Sequence, residues 1–350
     1  MWIVKILKNK QFWGAIIGLA LLIYCVKDIR LSELKILLSS LNYYFLIPSV
    51  SCSFLYVAIK AARWRMLMVH PNGLSFSKVF SLYGAGLVLT TAMPALTGQV
   101  ARLILFSRKL KMRKSFVFST LFLEILFDSV SLIIFIVITS LAFVFPSEYR
   151  SLSYIITGAT ASAVVALYLI LQYQEKLERL CLRLLRNRRP GIYIAIKKFI
   201  RSFAKGIRLL RSSQHLFGTL TVSLLSWFTH LLVVYFLFKS FAFDLPFAAA
   251  AVLMVINTLV LMIPITPGNA GMFEFAVTTS LAAFSIGRSD AVMFALSLHL
   301  IDLLPIFIFG GWYLRTQKNT TGVAESGHTS EHSLTSSLAA PAVTSPKERA

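Results

Sequence analysis

The feature that most constrains this chain is a series of long apolar stretches with almost no charge inside them. Six have the length of a membrane-spanning helix and cover about 11–26, 42–60, 116–145, 153–173, 216–239 and 290–314. About 20 apolar residues suffice to cross the hydrocarbon core as a helix. Of all residues, 57% are hydrophobic and 14% are charged, against about 25% charged in soluble domains. The sequence therefore predicts an all-α, polytopic membrane helix bundle.

Two further apolar regions are interrupted by residues that break helices. The first covers about 77–106 and contains Pro94 and Gly98, and the second covers about 247–286 with two prolines and two glycines between 264 and 271. Backbone that leaves a helix inside a membrane must be buried in protein or line a wet cavity. We therefore predict two broken or re-entrant hairpins beside the six full spans.

The basic residues are distributed on one side of these spans. The net charge is +21, and the longest and most basic loop covers about 174–215. Basic loops mark the cytoplasmic side of a membrane protein. All of them fall on that side if 77–106 enters and leaves from the cytoplasm, which predicts a multi-pass protein of the inner (plasma) membrane with both termini cytoplasmic. Because the charge flanks apolar spans, we expect anionic lipid at the cytoplasmic face, not nucleic acid, as its partner.

The two interruptions resemble each other. One runs from Pro94 to Gly98 and is followed by Arg102; the other runs from Pro267 to Gly271 and is followed by Glu274. Paired broken segments that enter from opposite faces are typical of inverted-repeat transporters, where they mark the substrate site. An inverted repeat is therefore an expectation.

The first interruption carries candidate anion-binding groups. Gln99 and Arg102 follow Gly98 within about one helical turn. A re-entrant tip exposes backbone N–H groups, and an arginine adds recognition of phosphate. The alternative is that Arg102 only lies in the cytoplasmic interface.

The second interruption carries a carboxylate. Glu274 begins the helix that follows Pro267, Gly268 and Gly271. Its side chain can simply cap that helix. An ionised group within the membrane is also a functional candidate, so Glu274 can instead pair with Arg102 across the tips or bind a cation.

Other apolar spans contain ionisable side chains. Glu124 and Asp128 share one helical face, His299 and Asp302 lie three residues apart, and His230 lies alone in its span. A proton relay, a lipid-headgroup site, a metal site and internal pairing are all open readings. No metal-ligand motif is present, so we predict neither a metal nor a cofactor.

The run Arg63-Trp64-Arg65 follows the second span. Tryptophan often anchors a helix at the membrane interface, and we assign Trp64 that role. The two arginines either hold a lipid headgroup or only follow the charge rule for cytoplasmic loops.

The C-terminal tail and the cysteines do not indicate a functional site. Residues 316–350 are rich in Ser, Thr, Ala and Pro, which predicts a disordered, polar cytoplasmic tail after a membrane domain covering 1–315. The three cysteines, Cys25, Cys52 and Cys181, have no metal-ligand spacing, and the first two are interpreted as small packing residues.

Three blocks of residues resemble, in order and spacing, the transmembrane region of lysylphosphatidylglycerol synthases, which also occurs alone as a flippase-like membrane-protein family. They are Ala62 to Leu67, Met93 to Arg102, and Pro264 to Glu274. The third block is the most specific. The first tip in that family reads Pro-Gly-x-x-Gly-Glu-x-x-Arg, whereas this chain has Ala95 and Gln99 at the second and sixth positions.

The resemblance covers about residues 5–315 and implies a function in lipid binding. The full-length synthases carry a soluble domain that attaches the amino acid, and the short tail here leads us to expect no synthase activity. We therefore expect a protein that binds and translocates a phospholipid or a lipid-linked substrate. The alternatives are an intramembrane enzyme using Glu124, Asp128, His299 and Asp302, or an accessory subunit of lipid biosynthesis. Each of these functions is compatible with a homo-oligomer or with a partner from lipid biosynthesis.

Overall fold

The structure, a computed structural model, describes residues 41–68, 75–93, 96–142, 212–261 and 266–311 as continuous segments, together with isolated positions elsewhere. These segments contain no strand and eight α-helices: α1 (Tyr43–Met66), α2 (Phe76–Ala92), α3 (Leu96–Lys109), α4 (Lys114–Ala142), α5 (Ser213–Ser240), α6 (Phe247–Leu261), α7 (Met272–Ala282) and α8 (Arg288–Pro305). The predicted all-α fold class is confirmed.

Four of the described helices are long and apolar enough to cross a bilayer. They are α1, α4, α5 and α8, the last continuing through a π-helical segment to Gly311. They correspond to four predicted spans, each with ends that differ by a few residues. The predicted spans 11–26 and 153–173 and the predicted tail 316–350 lie outside the continuous described segments. The chain is thus a multi-pass membrane protein.

Both predicted interruptions are present as breaks between shorter helices. α2 ends at Ala92 and α3 begins at Leu96, with Pro94 itself outside the described residues. After α6, a short 3-10 turn at Pro267–Asn269 precedes α7. Gly268 and Gly271 have φ angles of 63° and 81°, a region that side chains with a Cβ disfavour. These glycines therefore allow the second chain reversal.

In the first hairpin, glycine lets α2 and α3 come into close contact. A Cβ on Gly98 would lie 2.7 Å from the Cα of Thr90, and one on Gly86 would lie 2.9 Å from Cγ of Arg102. Real Cβ atoms do not approach backbone so closely, so the helices pack this tightly only around glycine. Glycine also allows close contact between α2 and the end of α8, where a Cβ on Gly310 would overlap the carbonyl group of Gly84.

The two breaks lie beside each other. The 3-10 turn packs against the end of α2, and a Cβ on Gly268 would be 3.9 Å from the Cγ2 of Thr91. The tips thus meet inside the bundle, as the sequence pattern suggested. Which face of the membrane each hairpin enters from, and the inverted repeat itself, stay predictions.

Each hairpin lies in its own hydrophobic core. One core forms around Trp64, Tyr83 and Phe106, and the other around α5, α6, α7 and α8. Trp64 is only 1% exposed and its ring centroid lies 4.2 Å from that of Phe106. Its predicted role as an interface anchor is therefore wrong. The reason is that α1 continues to Met66, which turns Trp64 towards α2 and α3.

Hydroxyl groups join α1 to the second core. Ser49 donates a hydrogen bond to the carbonyl of Val233 at 2.8 Å, and Ser53 donates one to the carbonyl of Ile301 at 2.8 Å. Such short polar side chains allow close helix contact in a membrane, where apolar surface gives no preference for protein over lipid. α1 thus bridges the two halves of the bundle.

Candidate functional site

A cavity of about 390 Å³ lies where the two halves meet. Its wall includes Thr91 from the first hairpin and Gly268 and Asn269 from the second break. Further polar or ionisable side chains reach it from the surrounding helices, among them Lys60, Asp128, His230, Asn257, His299 and Asp302. A polar cavity bordered by broken helices is the arrangement in which irregular backbone is tolerated inside a membrane.

Asp128 of α4 is the acceptor for several donors. Arg63 binds it with both terminal nitrogens, at 2.6 and 3.1 Å, and the indole Nε1 of Trp227 donates to it at 3.1 Å. The Arg63 side chain is fully buried and also donates to the hydroxyl of Ser223 at 3.1 Å. The fork of the guanidinium group matches a carboxylate, so this bidentate pair neutralises Asp128.

Lys60 brings a second cation to the same carboxylate. Its Nζ lies 3.4 Å from Asp128, 4.8 Å from the ring centroid of Tyr56 and 5.8 Å from that of Trp227. Aromatic faces attract an ammonium group. Since Arg63 already neutralises Asp128, the Lys60–Arg63–Asp128 cluster has one positive charge in excess, and Lys60 presents it to the cavity.

A histidine–carboxylate pair lies on another part of the wall. His230 Nε2 lies 3.2 and 3.3 Å from the two carboxylate oxygens of Asp302. The ring of His230 stacks on Tyr56 with centroids 4.8 Å apart. Its Nδ1 is buried without a hydrogen-bond partner. A neutral ring that donates through Nε2 satisfies this geometry.

A second histidine–carboxylate pair is built into the second break. His299 Nδ1 lies 2.7 Å from Glu274 Oε1, and its Nε2 lies 3.0 Å from the carbonyl oxygen of Gly268. The other Glu274 oxygen accepts a hydrogen bond from the N–H of Gly271 at 2.6 Å. Phe273 stacks on the imidazole with centroids 4.3 Å apart. Glu274 thus caps α7, as one interpretation of this residue held, and its other carboxylate oxygen pairs with His299, a partner that the sequence interpretation did not include.

Arg102 does not meet Glu274. Its guanidinium donates to Glu124 at 2.9 Å, and the hydroxyl of Tyr83 donates to the other oxygen of Glu124 at 2.7 Å. The guanidinium also lies over the rings of Tyr83 and Phe106, 4.7 and 5.2 Å from their centroids. Arg102 is 4% exposed. The expected pairing of Arg102 with Glu274 across the tips is therefore wrong, because α3 packs against α4 and turns Arg102 onto Glu124.

The sequence-predicted site residues therefore fall into groups. Those on the cavity wall are Asp128, Gly268 and Asp302. Behind the wall, in contact with it, are Arg63, Pro267, Gly271 and Glu274. Away from the wall are Arg65 at the end of α1, Gly98 and Gln99 in α3, and the Arg102–Glu124 pair. The structure thus brings together the second break and the acidic residues of α4 and α8, while the first break contributes Thr91.

Several wall residues with polar or ionisable side chains were absent from the predicted site. His230 and His299 were recognised as buried ionisable groups, whereas Lys60 and Asn257 were not considered as site residues. A usable signal existed for Lys60, since Tyr56, Lys60 and Arg63 follow one another at helical spacing on one face of α1. Asn257 is 4% exposed and its amide oxygen has no hydrogen-bond partner, which leaves an acceptor on the wall.

Metal coordination finds no support in the donor geometry. Within the described segments, no three His, Cys, Asp or Glu side chains lie close enough together to hold a metal ion. The histidines instead pair one to one with carboxylates. The acids considered for an intramembrane enzyme do not lie together. Glu124 pairs with Arg102, whereas Asp128 lies on the cavity wall.

This fold and site define a membrane protein with two broken hairpins around an interior polar cavity. Residues 11–310 match the family model described as the lysylphosphatidylglycerol synthase TM region. The chain belongs to this family, as the sequence blocks indicated.

The chain is also similar to two membrane proteins from other organisms. The UPF0104 membrane protein PH1989 of Pyrococcus horikoshii is 23% identical over 331 residues, which cover 88% of this chain and 98% of the relative. The UPF0104 membrane protein MJ1078 of Methanocaldococcus jannaschii is 25% identical over 222 residues, 63% of this chain and 91% of the relative. No solved structure matches the chain.

Proposed function

We propose that the cavity binds the phosphate-bearing headgroup of a membrane lipid and that the protein moves this lipid between the two leaflets. The observation that carries the proposal is the position of Lys60 on the wall of a cavity inside the bundle, where the carboxylate that it contacts, Asp128, is already bound by both terminal nitrogens of Arg63. A cation inside a membrane needs a partner. A lipid phosphate supplies one, and lysine binds phosphate as a point charge.

The dimensions of the cavity support a headgroup and not a whole lipid. About 390 Å³ is at the small end of ligand sites, which span roughly 300–1,000 Å³. The acyl chains then remain in the bilayer while the polar group occupies the cavity. The free amide oxygen of Asn257 offers an acceptor for a hydroxyl or ammonium group of the same headgroup.

Transport is favoured over intramembrane catalysis by the way the acids are distributed. Asp128 accepts from Arg63, Lys60 and Trp227, and Glu124 accepts from Arg102 and Tyr83. Carboxylates occupied in this way neither take up a proton readily nor attack a substrate. The two broken hairpins, in contrast, supply helix ends that can move past a bound headgroup.

Lipid movement in reconstituted vesicles tests the proposal. The purified full chain is placed in vesicles that contain a fluorescent phosphatidylglycerol analogue, and chemical quenching from outside measures how fast inner-leaflet probe reaches the outer leaflet. We expect Lys60→Gln to lower this rate by about 10-fold or more, because a hydrogen bond to a charged group contributes roughly 1.5–3 kcal/mol.

The matched control is Lys78→Gln, which removes the same charge from an exposed position in the first turn of α2. It should move lipid at the rate of the unmodified protein. A folded Lys60→Gln protein that also moves lipid at that rate would exclude the Lys60 phosphate site. Vesicles with unmodified protein that show no faster movement than empty vesicles would exclude lipid translocation altogether.

We also propose that both termini and the basic loop 174–215 face the cytoplasm of the inner membrane, where the loop contacts anionic lipid. The one-sided distribution of Lys and Arg supports this orientation. Single cysteines placed in the loop of an otherwise cysteine-free chain test it. They should react with a membrane-impermeant reagent only after the cells are opened, and labelling in intact cells would reverse the assigned orientation.

A further inference from the structure

The hydrogen bonds of His299 require two protons on the His299–Glu274 pair. The carbonyl oxygen of Gly268 can only accept, so Nε2 of His299, 3.0 Å away, must carry a hydrogen. Between Nδ1 and Glu274 Oε1, 2.7 Å apart, a second hydrogen must lie on one atom or the other. A neutral histidine beside an ionised glutamate supplies only one. The pair therefore contains one proton more than its separate groups at neutral pH.

The charge balance of the described interior also favours one extra proton. Seven charged side chains lie in the polar interior of the described bundle, three cationic and four carboxylate: Lys60, Arg63, Arg102, Glu124, Asp128, Glu274 and Asp302. With both histidines neutral, three positive charges against four negative ones leave a net charge of −1. One extra proton brings the interior to neutrality, which the low dielectric of a membrane favours.

From these observations we infer that the His299–Glu274 pair is a proton-binding site that couples lipid movement to the proton. The inference rests on the proposed transport function. When the proton leaves, His299 loses its hydrogen bond either to Gly268 or to Glu274, and two lone pairs then face each other. The released proton passes to water in the cavity, since His299 lies on its wall. Proton release thus loosens the second break where it borders the headgroup site.

Lipid phosphate and this proton should stabilise each other's binding. An anionic headgroup beside Lys60 adds negative charge to the cavity and favours the protonated pair, and linkage makes the effect reciprocal. A proton gradient can then bias the direction in which lipid moves.

Several other ionisable groups face the same space. Those on the cavity wall are Tyr56 and Lys60 from α1, Asp128 from α4, His230 from α5 and Asp302 from α8. The wall residues from α2 and α6 in the described segments are not ionisable. Cys25 lies close enough to Glu274 to interact with its charge, and it lines a second cavity. A test must therefore separate the Glu274 pair from these neighbours.

Glu274→Gln does so. A glutamine amide can accept from the N–H of Gly271 and donate to Nδ1 of His299, while Nε2 still donates to Gly268. The variant keeps every hydrogen bond of the pair without a proton to release. Asp290→Asn is the matched control, because it changes an acid to an amide at an exposed position in the first turn of α8.

The first measurement is the melting temperature of the purified chain in detergent between about pH 5 and about pH 9, an interval that includes the range in which histidine changes charge in proteins. The folded protein retains the extra proton, so its stability should fall as the pH rises and the proton is lost. We expect the pH-induced shift in Tm of Glu274→Gln to be less than half of the shift in the unmodified protein and in Asp290→Asn. Coinciding profiles for all three proteins would overturn the proton site.

The second measurement repeats the vesicle assay with phosphatidylglycerol probe with and without an imposed pH gradient. The rate for the unmodified protein should change with the gradient, and that for Glu274→Gln should not. Lipid movement that is equal with and without the gradient would overturn the coupling and leave the proposed transport intact. A complete absence of lipid movement would overturn both transport and coupling, while the melting profiles still decide the proton site.

Discussion

The two broken hairpins have similar sequence patterns and different chemistry. In the first, Arg102 is turned away from the tip and forms an ion pair with Glu124. In the second, Glu274 caps α7 and reaches the cavity through His299, which also binds the turn at Gly268. A charge placed one turn after a helix break can therefore stabilise packing or join a functional site. The partner helix decides which.

The difference also concerns how each break accommodates its backbone. Gly98 is required by close contact, because α3 packs directly on the last turn of α2. Gly268 is required by its φ angle of 63°, and the nearest atoms that a Cβ would meet are 3.9 Å away. The first break is thus tightly packed, whereas the second is open to the cavity and constrained mainly by hydrogen bonds.

The largest expected effect comes from removing the charge of the first hairpin. Arg102→Met leaves Glu124 buried with only the hydroxyl of Tyr83 as a partner. Breaking a buried ion pair on one side typically costs about 3–5 kcal/mol. We expect a large loss of melting temperature in detergent, with Arg108→Met, an exposed arginine in the last turn of α3, close to the unmodified protein.

A second substitution checks the cause of that loss. Arg102→Met combined with Glu124→Gln removes the uncompensated charge, so much of the lost stability should return. If the double variant is as unstable as Arg102→Met alone, the effect comes from lost packing against Tyr83 and Phe106 and not from the buried carboxylate.

A smaller effect is expected at the glycine of the first break. Gly98→Ala forces a Cβ to within 2.7 Å of the Thr90 backbone, and overpacking of this kind costs roughly 1–3 kcal/mol. Gly218→Ala in α5 is the control, since its Cβ would meet only the flexible end of Met66 at 3.6 Å. Equal melting temperatures for the two variants would show that α2 and α3 are not in tight contact.

At the glycine of the second break, the expected cost is due to conformation. Gly268→Ala places a side chain in the left-handed region, at about 1–2 kcal/mol. Gly268→Asn should lose less, because asparagine adopts this conformation more readily than alanine. A loss for asparagine equal to or larger than that for alanine would indicate that space, not φ, limits this position, and the two breaks would then be alike.

Local sequence features predicted the helices and their breaks, because proline, glycine and hydrophobic length act within a few residues. The C-terminal end of α1 was less well predicted, and this error placed Trp64 at the interface. Pairings between helices were not predictable in the same way. Whether Arg102 meets Glu124 or Glu274 depends on the rotation and packing of α3 and α4, which no local pattern encodes.

The candidate site was predicted only in part for the same reason, because it depends on contacts between helices. Asp128, Gly268 and Asp302 were predicted as separate candidates, since a charge or a break inside an apolar span is visible in the sequence. Their convergence on one cavity follows from how α1 bridges the two cores, through hydrogen bonds such as that of Ser53 to Ile301. The position of Lys60 became informative only in the structure, which shows that Arg63 already binds Asp128.

The smallest expected effect addresses one of the two positions where the first break departs from the family pattern described above. Gln99 replaces a glutamate there, is half-buried and precedes Arg102 by three residues on the same helix. The Nε of Arg102 is buried without a hydrogen-bond partner. Gln99→Glu brings a carboxylate to the same face of α3, and a pair at this spacing contributes about 0.2–0.5 kcal/mol.

We therefore expect Gln99→Glu to raise the melting temperature slightly and to leave lipid movement in vesicles unchanged, because neither Gln99 nor Arg102 lies on the cavity wall. Gln99→Met, which preserves the length of the side chain without a charge, is the control and should not be stabilised. If Gln99→Glu instead lowers stability, the added carboxylate repels Glu124 more than it attracts Arg102. If it changes the pH dependence of lipid movement, the first break takes part in proton coupling, and the division of roles between the two hairpins is wrong.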